Sequence, residues 1–288
     1  MFRHLLRVWL NRILFHRIGL DIKKRRDESE YASRMLSPDL IRRQNRTLGR
    51  LISDFLQAGE TDAAPDQVTE AVSEFRDIYP ARPVVDNAGG SGFADSLLIF
   101  VTSRLINPAF IVESGVHRGH STWLLRQACP DAEIHCFDIT FSERRYKDKT
   151  ATYYAHDWMD TDLQAAKNTS SMIFFDDHID HALRLKQAHE RGFETIILDD
   201  DFSADTLYAT GAPPLPSMRM IMDDELSDGQ ILEWQRHGKV FSRTFDKVHS
   251  DGARKLVKSV AFAPNLSETL RYKPQSGLTL VRLYGPTP

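Results

Sequence analysis

Phe2, Leu5, Leu6, Trp9 and Ile13 share one face of a helical wheel, and Arg3, His4, Arg7 and Asn11 share the opposite one. Residues 1–30 therefore open the chain as a basic amphipathic segment. Helical spacing resumes at Leu40, Ile41, Leu48, Leu51, Ile52 and Phe55, with Ser37 as the expected N-cap and Pro38 at the first helical position. Residues 58–67 read as a linker and Val68–Ile78 as a further helix. Gly89-Gly90-Ser91-Gly92 marks a turn, after which Phe93–Ile106 forms an apolar helix. From Ala109 the pattern alternates short apolar runs with helical stretches. Strands are expected at Phe110–Glu113, Glu133–Asp138, Thr152–Ala155, Ser171–Asp176 and Thr195–Asp199, and helices at Ser121–Ala128 and His178–Arg191. Leu256–Ala263 and Leu278–Tyr284 follow as an antiparallel pair.

Strands separated by helices predict an α/β fold with a doubly wound, mostly parallel sheet. Seven strands are expected, the last antiparallel, in a Rossmann-like domain over residues 93–288. A helical extension (31–92) and the basic segment (1–30) precede it. The length of 288 residues agrees with this division, because single cores stop growing near ~250–300 residues.

Charge changes the picture at one end. Residues 1–26 carry +7, so the formal total of −3 leaves −10 on the other 262 residues. A basic tail on an acidic body is compatible with binding to an anionic membrane surface, or with packing on the body or on a second subunit in a homodimer. The acidic body, with no basic stripe and interleaved aromatics, argues against nucleic acid. No apolar run is long enough for a membrane span, and Arg7 and Arg12 interrupt any secretory pattern. The expected location is therefore cytoplasmic, peripheral at the inner membrane face if the tail binds there. Cys129 and Cys136 are too few for a disulfide framework and read as buried thiols.

The candidate chemistry lies at the strand ends, where open α/β sheets bind ligands. The first strand runs into Glu113-Ser-Gly115-Val-His117-Arg-Gly119-His-Ser121, two glycines ahead of a helix N-terminus. The second ends in Asp138, placed to accept the two hydroxyls of a ribose. His156-Asp157-Trp158 follows the third strand, with Asp157 a candidate for the adenine side. His117 and Arg118 in the glycine loop are candidate contacts to the cofactor carboxylate or the acceptor, with a solvent-facing role as the alternative. Asp176, Asp177 and His178 end the fourth strand, and Asp199, Asp200 and Asp201 the fifth. Carboxylates so clustered need a cation, basic neighbours or protons. Asp177, Asp180 and Asp201 also read as solvated caps of the next elements, and His181 as a surface residue. His178 suits a general base near neutrality. The Pro- and Gly-rich segment 205–217 reads as a lid, an acceptor-recognition loop or a surface crossing.

The pattern E-x-G-x-x-x-G-x-S, followed by a strand ending F-D-I, resembles motif I and its acidic partner in class I S-adenosylmethionine-dependent methyltransferases. Phe174-Phe-Asp176-Asp177-His178 resembles the D-x-D-H-type ending of metal-assisted and cephalosporin hydroxylase-type O-methyltransferases, with one residue fewer between acid and histidine. Asp199-Asp200 resembles the acidic pair those proteins carry after strand five. The resemblance spans about residues 109–201. It implies S-adenosylmethionine as cofactor, held by Glu113, Gly115, His117, Gly119, Ser121, Asp138 and Asp157. It further implies Mg²⁺ or a similar cation on Asp176, Asp199 and Asp200, with Asp176 and His178 at the reacting centre. The acceptor would be a hydroxyl on a small molecule, sugar or glycolipid. A non-catalytic methyltransferase-like module is the alternative. A nicotinamide-dependent oxidoreductase is disfavoured by the missing G-x-G-x-x-G and the missing Tyr-x-x-x-Lys pair.

Overall fold

The computed structural model describes residues 37–165, 170–209, 213–236, 238–270 and 276–285. The basic segment 1–30 lies outside them.

Three helices come first: α1 (Pro38–Ala58), α2 (Pro65–Ile78) and α3 (Phe93–Ile106). Pro38 and Pro65 each sit in the first turn, where the missing N–H costs no hydrogen bond. α2 starts three residues before the first apolar position because the Gln67 side chain accepts the Ala64 N–H at 3.0 Å. Seven sheet strands follow: β1 (Phe110–Ser114), β2 (Glu133–Phe137), β3 (Thr152–Tyr154), β4 (Ser171–Phe175), β5 (Thr195–Leu198), β8 (Val257–Phe262) and β9 (Thr279–Leu283). Between them lie α4 (His120–Ala128), α5 (His181–Glu190), α6 (Met218–Ile221), α7 (Lys247–Arg254) and α8 (Ser267–Leu270). A separate hairpin, β6 (Ile231–Arg236) and β7 (Lys239–Thr244), stands outside the main sheet and was not foreseen from the apolar pattern.

The main sheet has the order β3-β2-β1-β4-β5-β9-β8, parallel from β3 to β5, with β9 antiparallel to both neighbours. This is the expected mostly parallel, doubly wound, Rossmann-like arrangement. Successive strand residues face opposite layers. Ile111, Ile134, Cys136, Phe174, Ile197 and Leu280 join a core with α1–α4. Val112, Phe137, Phe175, Ile196, Leu198 and Val281 join a second core with α5, α6 and α7. Both sheet faces are covered, so the central strands β4 and β5 are near-continuous apolar runs without alternation. The α1–α2 pair shares the first core with the sheet.

Chain direction across the sheet reverses between β1 and β4, which lie side by side although β2 and β3 separate them in sequence. The crevice outside the carboxyl ends of such a pair is where this architecture admits ligands. The helix expected to begin at His178 begins at His181. His178 takes φ +57°, outside the helical region, and the Asp180 side chain accepts the Leu183 N–H at 3.1 Å.

Candidate active site

A cleft of about 620 Å³ opens at that reversal, lined from the ends of β1, β2 and β4, from residues 156–157 and from the Ala88–Gly89 turn. Its shape depends on two glycines. Gly115, at φ +96°, turns the chain out of β1, and a Cβ there would lie 2.1 Å from the Asp176 carbonyl oxygen. Gly119, at φ +82°, admits the Tyr146 carbonyl, which a Cβ would meet at 2.5 Å. Gly119 thus positions the loop, and it does not itself line the cleft.

The loop between them is held by Asp138. Its Oδ2 accepts the Val116 N–H at 3.0 Å and the His117 N–H at 2.9 Å, and its Oδ1 accepts the Thr140 N–H at 3.1 Å. An ionised carboxylate offers about four lone-pair sites. Asp138 can therefore hold the loop and still accept a ligand hydroxyl. Ile139 beside it is 83% exposed and gives the cleft wall an apolar surface.

Glu113 and Ser121 lie behind this wall. Glu113 is fully buried, beside the Ser121 hydroxyl; its Oε2 accepts from Thr122 Oγ1 at 2.6 Å and from the Cys136 thiol at 3.2 Å. Burial raises its pKa to about 7, against the pull of those donors.

One basic residue that the sequence reading passed over organises the opposite wall. Arg184 of α5 is 2% exposed at its side chain. It donates to Asp157 Oδ1 at 3.2 Å, Asp157 Oδ2 at 2.6 Å and Gln187 Oε1 at 2.8 Å, and pairs with Asp177 Oδ2 at 2.8 Å. Asp177 also accepts from Ser114 Oγ at 2.6 Å, so it fastens β4 to β1 and is not the solvated cap expected. Burial alone would raise the Asp157 pKa, but the Arg184 guanidinium holds it below the ordinary value. The overlooked signal is spacing. Arg184 falls on the buried i, i+3, i+4, i+7 stripe with His181, Leu185 and Ala188, where a cation requires acidic partners.

The strand-end acids divide into two sets. Asp176, His178 and Asp200 bring one ligand atom each to within 4.8 Å of one another, with His178 Nδ1 2.7 Å from Asp200 Oδ2. Asp199 is adjacent but does not join that three-atom group: it is buried and its Oδ1 accepts the Asp200 N–H at 2.8 Å. Burial, with Asp199, Asp200 and Asp177 close by, raises the Asp176 pKa well above the usual carboxylate range. Burial, with Asp95 and Asp200, does the same to Asp199. The Asp200 hydrogen bond raises that of His178. Two expectations are corrected. Asp201 is 2% exposed, bonded to Thr279 Oγ1 and the Arg219 N–H, because β9 closes over it. His181 is also 2% exposed, its Nδ1 accepting the Met218 N–H at 3.0 Å.

Of the sequence-derived cofactor residues, Gly115, His117, Asp138 and Asp157 line the cleft with Asp176 and His178. His117 also lies 3.6 Å from Glu143. The lining carries five carboxylates (Asp138, Glu143, Asp157, Asp176, Asp177) against two guanidiniums (Arg118, Arg184). Even with Asp176 protonated, the carboxylates outnumber the guanidiniums four to two. Such a cleft favours a cationic ligand and opposes a diphosphate.

No protein-family model and no curated protein matches the chain. Among solved structures, the O-methyltransferase TomG from Streptomyces achromogenes is 15% identical over 76% of this chain and 89% of that one, with a TM-score of 0.38. The Podospora anserina methyltransferase PaMTH1 is 16% identical over 83% and 95%, at a TM-score of 0.36. CmcI with Mg and SAM is 16% identical over 41% of this chain, at a TM-score of 0.35. That match spans 56% of CmcI. Likeness at this level assigns no activity.

Proposed function

We propose that the protein is an S-adenosylmethionine-dependent O-methyltransferase assisted by a divalent cation. The observation that carries this reading is an acid-rich cleft at the sheet reversal, in which a carboxylate-held glycine loop opens onto the Asp176–His178–Asp200 group. The lining fits the cofactor's chemistry. Asp138 has acceptor capacity left for ribose hydroxyls, Ile139 offers apolar cover to a base, and the negative walls suit a sulfonium and an ammonium. They suit a nicotinamide dinucleotide poorly, since its diphosphate would face those same acids.

Asp176, His178 and Asp200 would hold the cation, two oxygen donors and an imidazole suited to Mg²⁺, Mn²⁺ or a similar ion. The bound cofactor supplies an electrophilic methyl group, and the cation supplies Lewis-acid polarisation of the acceptor oxygen. Displacement at a methyl carbon chiefly needs positioning, which the rigid strand ends provide. Asp200 engages one ring nitrogen of His178 and leaves the other for ligation or for taking the acceptor's proton. Asp199 orients Asp200 through its amide. The acceptor is a small molecule bearing a hydroxyl. A sugar or glycolipid acceptor at an anionic membrane surface is supported only by the +7 charge of residues 1–26. Among the described residues, no helix is long and apolar enough to cross a membrane.

Calorimetric titration with S-adenosylmethionine, with and without Mg²⁺ or Mn²⁺, tests the reading. Micromolar binding, weakened at least tenfold by Asp138→Ala, is expected. Absence of heat, together with no competition by S-adenosylhomocysteine, would remove it and leave a binding module on the same fold.

A further inference from the structure

The hairpin β6–β7 has no part in the sheet, yet its inner face is built around aromatic side chains. Leu232 and Trp234 pack on Met220, Leu226 and Phe245, with Phe241 against the same cluster. Trp234 and Phe241 are cross-strand partners, their rings stacked at 5.5 Å and 16°. Arg243 pairs across the strands with Leu232, which puts it on that same inner face. A second cavity of about 310 Å³ lies under this face, with His178, Leu215, Trp234, Phe241 and Arg243 among its lining residues. His178 also lines the larger cleft, so the two cavities share that one residue of the Asp176–His178–Asp200 group.

Arg243 differs from the other arginines around the site. Arg118 is tied to Asp86 and Glu143, Arg184 to Asp157 and Asp177, and Arg219 to Asp201. Arg243 is exposed and makes no hydrogen bond or ion pair among the described residues. A guanidinium that lines a cavity beside two stacked rings, unpaired among the described residues, is a ready partner for a carboxylate or phosphate oxygen. The space is also of the right order. A cavity of about 150 Å³ holds a benzene, so 310 Å³ admits one substituted ring.

Resting on the methyltransferase reading above, we propose that this cavity is the acceptor subsite and that Arg243 selects acceptors whose ring carries an anionic group. The hydroxyl to be methylated lies at the His178 end, the ring lies along Trp234 and Phe241, and the anion meets Arg243. The hairpin thereby separates two charges that one cleft could not accommodate. The acidic cleft takes the cationic cofactor, and the acceptor's negative group is held at the far wall, away from those carboxylates.

The probes are 4-hydroxybenzoate and its neutral counterpart 4-hydroxybenzamide. Each is titrated into the cofactor-loaded protein and followed by tryptophan fluorescence and ligand-observed NMR. The wild type is expected to bind the acid at least tenfold more tightly than the amide. Arg243→Gln, an exposed substitution that leaves the hairpin core intact, is expected to reduce that preference below twofold; Arg243→Lys should restore part of it. Cofactor affinity should be the same in all three proteins. The proposal is overturned if neither probe binds, if acid and amide bind equally to the wild type, or if the preference survives in Arg243→Gln. Failure of the methyltransferase reading is read separately, as absence of S-adenosylmethionine binding by the wild type in a titration without either probe.

Discussion

Replacing Arg184 by methionine keeps a long apolar stem against Phe175 and removes the cation that joins two walls of the cleft. The guanidinium makes bonds of 2.6 and 3.2 Å to Asp157 and 2.8 Å to Asp177. Removing one partner of a buried pair costs about 3–5 kcal/mol, because the remaining charge stays uncompensated. Asp157 is 37% exposed and recovers water, whereas Asp177 is 13% exposed and keeps only Ser114 and the Ile179 N–H. The lower end, about 3 kcal/mol, is therefore expected. At about 2–4 °C per kcal/mol this is a fall in Tm of roughly 6–12 °C. The Asp157 pKa is depressed in the folded state, so its share of this stability is present above the ordinary 3.8 and is lost as pH falls through the folded value. The gap between wild type and variant should narrow accordingly in acid. Urea unfolding at several pH values, with a double-mutant cycle against Asp177→Asn, measures both quantities. A loss below about 1 kcal/mol, or an additive cycle, would refute the reasoning and show that water already satisfies these carboxylates.

Two further outcomes follow from the same wall. Gly115→Ala places a Cβ on the Asp176 carbonyl at φ +96°, so a loss of at least about 2 kcal/mol and weakened S-adenosylmethionine binding are expected. An urea midpoint within error of the wild type would contradict this. For Glu113 the sign is opposite to that of a salt-bridged acid. Its folded pKa of about 7 exceeds the ordinary 4.5, so ionisation opposes folding: the penalty is absent below about 4.5, grows with rising pH, and is complete above 7. The shift corresponds to roughly 3 kcal/mol. Tm of the wild type should therefore fall more between pH 5 and 8 than that of Glu113→Gln, and parallel profiles would disprove the assignment.

The sequence alone determined the features set by local physics. Apolar runs at Phe110–Glu113, Ser171–Asp176 and Thr195–Asp199, with helical spacing between them, specified a parallel α/β sheet, because side-chain period and capping act over a few residues. The placing of Asp138 after the glycine loop was legible for the same reason, since strand, turn and acid succeed one another in order. The partners of each charged group were not legible. Ser114 meets Asp177 across 63 positions of sequence, and Arg184 meets Asp157 across 27. The first arises because the strand order reverses between β1 and β4, which sets their ends side by side, and the second because α5 shares a core with the Trp158 turn after β3. That packing drew His178 into the group with Asp176 and Asp200 and left Asp199 outside it. It also buried Asp201 under β9 and His181 against α6, and it turned Arg243 of an unforeseen hairpin toward the second cavity. Burial decides whether an acid is a solvated cap, an ion pair or a protonated carboxyl, and burial is a property of the assembled layers, which no local pattern encodes.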